Sequence, residues 1–476
     1  MQRSILFFLA IPLLLLGCLE NLPGDDQDQE PGITASEGVT EDTSIEDEES
    51  QELPLITTGG MPLLPASSPQ PATKKWQPNP EKSAPVSTCF PEKIELDEGP
   101  GPHSNSIDTN SWKGEIVYVG GQTDGDGQKE TPFRALSEAL DKTRDTKTPT
   151  LILVAGGTYE EPSLSVGGGQ YLIGGFDPKN WERDLSSHPS VIQLTKGSLS
   201  ISNNFSIDSK SKPILIDGFE ITGAKTREPT IKIVNNTRVI LRHNVISTNL
   251  DVVTWETYGD THYGSAIEGI GTSLHAYHNR FLVPSDSPQQ VISRGIVMTS
   301  SCLLLEKNHL ISFRIPISSS NSTGVISSNV IEDGYNGIFT REEEIAIENN
   351  TIGLKAYESG CGYAIYIETR NTQKKTRPRI VDNQILLEGG SAKGINEADV
   401  YSDPLVLTGN RFVLLDLVPP TMGTQMLYGD ADGPHGPNRV NQILSKIEEV
   451  DLLSDIPEIG DNVIETSVSE ILQTQY

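Results

Sequence analysis

The chain reads as an all-β solenoid, and three features of its sequence say so. A phrase of the form apolar-x-x-Asn-x-apolar recurs as Leu241…Asn244…Ile246, Ala276…Asn279…Phe281, Leu305…Asn308…Leu310, Ile326…Asn329…Ile331, Ile347…Asn350…Ile352, Ile380…Asn383…Ile385 and Leu407…Asn410…Phe412. An earlier copy, Ile214…Asp217…Phe219, reads as the same phrase with Asp in place of Asn. A second phrase runs ahead of the first: Ile267, Ile296, Ile317 and Ile338 each stand twelve residues before their Asn, with Ile365 and Ile395 at longer distances. The Asn-to-Asn intervals of 35, 29, 21, 21, 33 and 27 residues then read as one short unit with loops let out of it.

Each unit therefore holds two short strands joined by turns, with the Asn at the bend, where its amide can satisfy backbone groups. Stacked copies can bond one another as Asn ladders do. These Asn residues are read as builders of the fold. The paired phrases predict a parallel β-helix of about ten to twelve rungs, roughly 50 Å long at strand spacing.

Ahead of the repeats, Gly114–Gly121 reads as a strand, followed by the turn Asp124-Gly125-Asp126-Gly127. Thr131 suits a helix N-cap and Pro132 the first helical position. Phe133, Leu136, Ala139 and Leu140 form one apolar face of a single helix, and Leu151–Ala155 is the next strand. A helix here would cover the open edge and apolar core of the first rung. At the far end Val440, Ile443, Leu444, Ile447 and Val450 have helical spacing and read as a second cap.

The segment Tyr118-Val119-Gly120-Gly121…Thr131-Pro132-Phe133-Arg134-Ala135-Leu136…Gly157-Thr158-Tyr159 resembles the entry of right-handed parallel β-helix, pectin-lyase-like proteins. Leu172-Ile173-Gly174-Gly175-Phe176-Asp177-Pro178…Trp181…Arg183-Asp184 resembles a further segment of a bacterial surface lipoprotein group of the DUF1565 type. The resemblance covers about residues 114–412 and implies the right-handed fold. It implies little about activity, because that fold hosts lyases, hydrolases, epimerases, adhesins and stalks. A lyase-like site would need clustered calcium-binding Asp residues and a second Arg after Arg314-Ile315-Pro316, which does not follow. A polygalacturonase-like site would need an adjacent Asp pair and a Gly-His-Gly loop, whereas His435-Gly436-Pro437 lies past the last rung.

Four segments follow from these readings. Residues 1–18 hold an apolar run, Ile5 to Leu16, too short to span a bilayer and suited to a signal-peptide core. It ends Leu15-Leu16-Gly17-Cys18, which resembles the bacterial lipobox and implies acylation of Cys18 and an exported, membrane-anchored protein. Leu19 in place of Asp, by the enteric sorting rule, implies the outer membrane. Residues 19–110 read as a disordered tether, since Glu20 to Glu52 carries 13 acidic residues and no Lys or Arg. Residues 111–412 form the β-helix and 413–476 a C-terminal cap and tail.

The net charge of −29 argues against nucleic acid as a partner. Beyond Cys18, the odd set Cys89, Cys302 and Cys361 allows one pair, and Cys302 and Cys361 stand about two units apart, roughly 10 Å at strand spacing. No cofactor and no metal site is implied. Asp124-Gly125-Asp126-Gly127 could ligate calcium but lacks the ligand list of an EF-hand. The insertion from Asp251 through Trp255, Glu256, Tyr258, Asp260 and His262 to Tyr263 gathers carboxylates and aromatics, as glycoside hydrolysis uses and as polar surface loops also do.

Strand alternation gives the remaining candidates. If the Ile column points inward, Glu268, Phe339 and Tyr366 point outward, with Arg341 and Glu368 two places on. Phe339 and Tyr366 would be neighbours about 5 Å apart, able to stack on a sugar ring or anchor a protein partner, unless the insertion between Asn350 and Asn383 folds over them. The sequence thus allows a surface protein that binds glycan or protein without catalysis. It also allows a polysaccharide lyase or glycoside hydrolase, or a structural or secretion-system component.

Overall fold

The computed structural model describes residues 112, 114–144, 146, 148–203, 213–226, 228–235, 237–248, 263–284, 292–341, 344–355, 362–368, 379–388, 392–398, 406–408, 410–414, 428–429 and 451–452. All lie in one compact unit, Asn79–Tyr476. The proposed lipid site Cys18, the tether, the Asp251–His262 insertion and the C-terminal helical stretch lie outside the described residues.

The strands form three sheets of 11, 10 and 11 members, each built from every third strand of the chain. Every named pairing is parallel, as between Ser273–Tyr277 and Cys302–Glu306. Sheet A begins with Glu115–Val119, sheet B with Gly157–Glu161 and sheet C with Leu164–Gly167. A typical rung runs from Ser273–Tyr277 in sheet A, past Asn279, through Arg280–Leu282 in sheet B to Ile292–Thr299 in sheet C. The fold is an all-β right-handed parallel β-helix. The units have three strands where the sequence suggested two, because the Asn phrase spans two of them: Leu305 lies in Cys302–Glu306 of sheet A and Leu310, past the bend, in His309–Ile311 of sheet B.

The core follows from apolar side chains stacked in register. In sheet C, Ile231, Ile267, Ile296, Ile317, Ile338, Ile365 and Ile395 pair one above another and are buried. Sheet A supplies Leu241, Ala276, Leu305, Ile326, Ile347 and Ile380, and sheet B supplies Ile246, Phe281, Leu310, Ile331, Ile352 and Ile385. Burying a side chain of this size contributes about 1.5–3 kcal/mol.

At the corner between sheets A and B the seven Asn residues form one continuous amide ladder. Asn308 Nδ2 donates to Asn329 Oδ1 at 3.0 Å and to the Ala276 carbonyl at 2.8 Å. Its Oδ1 accepts from the Asn279 backbone N–H and from Asn279 Nδ2. The pattern runs from Asn244 to Asn410, and the ladder side chains are at most 2 % exposed. The residue before each of the first six Asn is left-handed: His243, His278, Lys307, Ser328, Asn349 and Asp382 have φ of 52 to 55°. A shorter hydroxyl ladder, missed in the sequence, runs along the corner between sheets C and A. There Ser301 Oγ accepts from the Thr272 N–H, and Ser322 Oγ from the Ser301 N–H.

Asp217 is not a member of the Asn ladder. It pairs with Arg242 in sheet A, two places before Asn244. The ladder slot falls to Phe219, whose N–H donates to Asn244 Oδ1 at 3.0 Å. Gly218, at φ 80°, takes the left-handed position, and a Cβ there would collide with Arg183.

The single helix among the described residues, α1 (Leu136–Thr143), starts later than its local signals suggest. Thr131 bonds Asp126 in the preceding loop and Ala135 is the N-cap, with no side-chain cap of its own. The carboxylate of Glu161, from the first strand of sheet B, accepts the N–H groups of Leu136 and Ser137 at 3.0 and 3.2 Å. Leu136, Ala139 and Leu140 merge with the main core. A smaller apolar cluster lies on the outer side of sheet A, where Trp181 packs edge-on against Tyr118.

Candidate functional site

The outer face of sheet C carries the residues singled out by alternation. A single outward column runs in register through Ser165, Ser200, Lys232, Glu268, Val297, Ser318, Phe339, Tyr366 and Asn396. Its two ends differ. Towards the N-terminus, Ser165, Ser200 and Lys232 border a groove of about 610 Å³ beside α1, with Lys196 and Glu228 on its rim. Lys232 Nζ lies 3.5 Å from Glu228 Oε2, both half-exposed. Such a pair contributes well under 1 kcal/mol and leaves both groups open to a ligand. Glu268, the next rung along, is partly exposed, and Ile270 on the same strand is 53 % exposed.

Towards the C-terminus the column is closed. Phe339 and Tyr366 stack face to face with centroids 5.1 Å apart and planes 7° apart, as the register predicts. Both rings are only 5 % exposed, so the open aromatic platform allowed by the sequence is a buried stack. Arg341 Nε donates to Glu368 Oε2 at 2.7 Å, with both side chains below 10 % exposure. Tyr363 leans on Tyr366, and the Arg341 guanidinium lies over the Phe339 ring. Alternation placed these four side chains correctly; what it could not see was the packing that covers them.

A second polar centre surrounds Asp217. Arg242 Nε donates to Oδ2 at 2.8 Å, and His243 Nδ1 lies 3.0 Å from Oδ1. Arg183 Nη2 is also 3.0 Å from Oδ1, an ion pair outside hydrogen-bonding geometry. Burial alone would raise the Asp217 pKa. The His243 hydrogen bond and the two guanidinium groups outweigh it and hold the carboxyl well below the usual carboxylate range. Two further pairs cross neighbouring rungs, His275 Nε2 to Glu306 at 3.1 Å and His309 Nε2 to Glu332 at 2.9 Å.

This corner between sheets A and B was passed over at the sequence level. Its signal was present: the residues flanking each ladder Asn are His243, His278 and Lys307 before it, and Arg280 and His309 after it. Cys302 is disulfide-bonded, to a partner outside the described residues. Among the described residues no group of three or more His, Cys, Asp or Glu is placed to hold a metal ion, and no helix is long and apolar enough to cross a membrane.

No protein-family model and no curated protein matches the chain. Among solved structures it is similar to a pectin methylesterase from Aspergillus niger, at 14% identity over 67% of this chain and 85% of that one, with a TM-score of 0.27. It is also similar to the pectin methylesterase PemA from Erwinia chrysanthemi (10% identity, 66% and 92% covered, TM-score 0.30) and to a rhamnogalacturonan lyase (11%, 74% and 98%, 0.28). The assignment to the parallel β-helix class rests on the chain's own three parallel sheets.

Proposed function

We propose that the protein is a lipid-anchored envelope protein of the DUF1565-type lipoprotein group that binds glycan without cleaving it, through the open half of the sheet-C face. The observation that supports this reading is the in-register run Ser165, Ser200, Lys232 and Glu268 beside a groove of about 610 Å³. Hydroxyl, ammonium and carboxylate groups one strand spacing apart, about 4.8 Å, suit a ligand with closely repeated hydroxyls. Exposed Ile270 adds an apolar contact for a sugar face.

The test is a glycan array on the full chain, followed by titration of any hit and an assay of that hit for cleavage. Lys232→Ala with Glu268→Ala should weaken the hit about tenfold, near 1.4 kcal/mol, with an unchanged thermal melt. A hit that binds the double variant as tightly overturns the site, and cleavage of the hit would favour a polysaccharide lyase or hydrolase. The anchor is tested separately: Cys18→Ser should move the protein from the membrane to the soluble fraction.

A further inference from the structure

The corner that carries the Asn ladder lies away from the sheet-C face and presents its own chemistry. The ladder amides are buried, so the residues on either side of each Asn form the surface. Over three consecutive rungs these are His243, then His278 with Arg280, then Lys307 with His309. They line an open groove of about 780 Å³ that runs on past Ser328 to Asn349 and Thr351. Each rung advances about 4.8 Å, so the basic stretch is about 10 Å long and the neutral stretch continues it.

Several observations mark this as a binding surface. Arg280 and Lys307 are exposed, and among the described residues neither has a carboxylate partner. His243 and His278 stack at 5.7 Å with planes 23° apart. Three carboxylates of this corner are bound to groups other than Arg280 and Lys307: Asp217 is buried among Arg183, Arg242 and His243, Glu306 bonds His275, and Glu332 bonds His309. Exposed Glu220 stands two rungs from Arg280 in the same column. The His275 hydrogen bond, with Lys307 and His278 adding to it, holds the Glu306 carboxyl below its ordinary value. Burial lowers the His309 imidazole pKa; the Glu332 carboxylate bonded to it opposes this and Arg280 adds to it.

The net charge of −29 belongs to the whole chain. What acts on a ligand in the groove is the charge close to it, because exposed charges more than about 8 Å apart are largely screened at physiological ionic strength. The neutral end of the groove is lined by Ser328, which is exposed, Asn349, which is partly exposed, and Thr351. Cations at one end and neutral hydrogen-bonding groups at the other fit a chain that is both acidic and rich in hydroxyls. They do not fit a single-stranded nucleic acid, whose bases need aromatic platforms. The aromatic ring beside this groove, Tyr277, already bonds Arg242 through its hydroxyl.

We infer that this groove is a second binding site, for a linear acidic oligosaccharide of about two to three sugar units lying along the helix axis. Arg280 and Lys307 take its anionic groups and His243 and His278 flank them. The neutral residues further along receive its hydroxyls.

The experiment titrates the full chain with a triuronate, a sulfated trisaccharide, neutral maltotriose and tripolyphosphate. Binding of at least one acidic trisaccharide, weakened by salt and absent for maltotriose, is the expected result. The arm that binds tells carboxylate from sulfate. Arg280→Glu with Lys307→Glu should lower that affinity at least tenfold with an unchanged melt. Arg280→Gln with Lys307→Gln serves if charge reversal impairs folding. Lys232→Ala with Glu268→Ala should leave the affinity unchanged, so failure here and failure of the sheet-C reading are distinguishable. The inference is overturned if neither acidic trisaccharide binds, or if the Arg280 and Lys307 variants bind normally. It is also overturned if affinity falls with Lys232 and Glu268 instead, or if tripolyphosphate binds as well as the sugars.

Discussion

Asn308 shows how much one side chain holds in this fold. Replacing it by Ala strips the acceptor from the Asn279 backbone N–H and from Asn279 Nδ2, and the donor from the Ala276 carbonyl. Each buried group left unsatisfied costs about 1–3 kcal/mol, so Asn308→Ala should destabilise by about 3 kcal/mol or more in a denaturant titration. Asp217→Asn looks conservative beside a ladder of Asn, yet it should cost about 3–5 kcal/mol, because it leaves the buried Arg183 and Arg242 without their anion. The pH dependence carries the sign. The Asp217 pKa is lowered in the folded protein, so its contribution is full above the unfolded value of about 3.9 and is lost as pH falls through and below it. The gap between the native chain and Asp217→Asn should therefore narrow below about pH 4. The ladder was legible because its period is strict. Asp217 was misread because Ile214…Asp217…Phe219 satisfies the same pattern two places out of step. Only the pairing of Arg242 with Asp217, and the glycine at 218, reveal the offset.

At the level of elements, local signals found the strands and failed at the helix start. Thr131 and Pro132 are good capping residues, but the cap that α1 uses comes from Glu161, some 25 residues later and across the fold. No short-range pattern reports such a contact. Glu161→Ala should leave the N–H groups of Leu136 and Ser137 without an acceptor and lower the melting temperature by several degrees, a loss of about 1–3 kcal/mol. The aromatic strip teaches a related lesson. Alternation fixes which way a strand residue points, but whether anything covers it depends on other segments. Since Phe339 is 5 % exposed, Phe339→Ala should be read out as stability, with a loss of about 3–5 kcal/mol in chemical denaturation.

Over the whole helix, stability accumulates rung by rung, because each strand pairs only with the rungs above and below. Rung number was legible from the repeats: the expected ten to twelve meets the 11 strands of sheets A and B. The site was less legible, because a binding surface on a solenoid is assembled from single residues tens of positions apart. The Asn ladder also has a consequence for how such a chain tolerates change. Between the strands of sheets A and B only two residues intervene in rung after rung, as with His278 and Asn279, while the stretch from Leu282 to Ile292 varies freely in length from unit to unit. One extra residue at the first place would throw the amide of its rung out of line with those on both sides. At the second it would only lengthen a connection, at little entropic cost. An epitope tag of about ten residues placed after Pro284 should leave the melting temperature within a few degrees, and the same tag between His278 and Asn279 should abolish cooperative melting. The molecule thus has one corner closed to growth and others open to it, so new surface can be added along some edges of the solenoid without disturbing the spine that keeps its rungs in step.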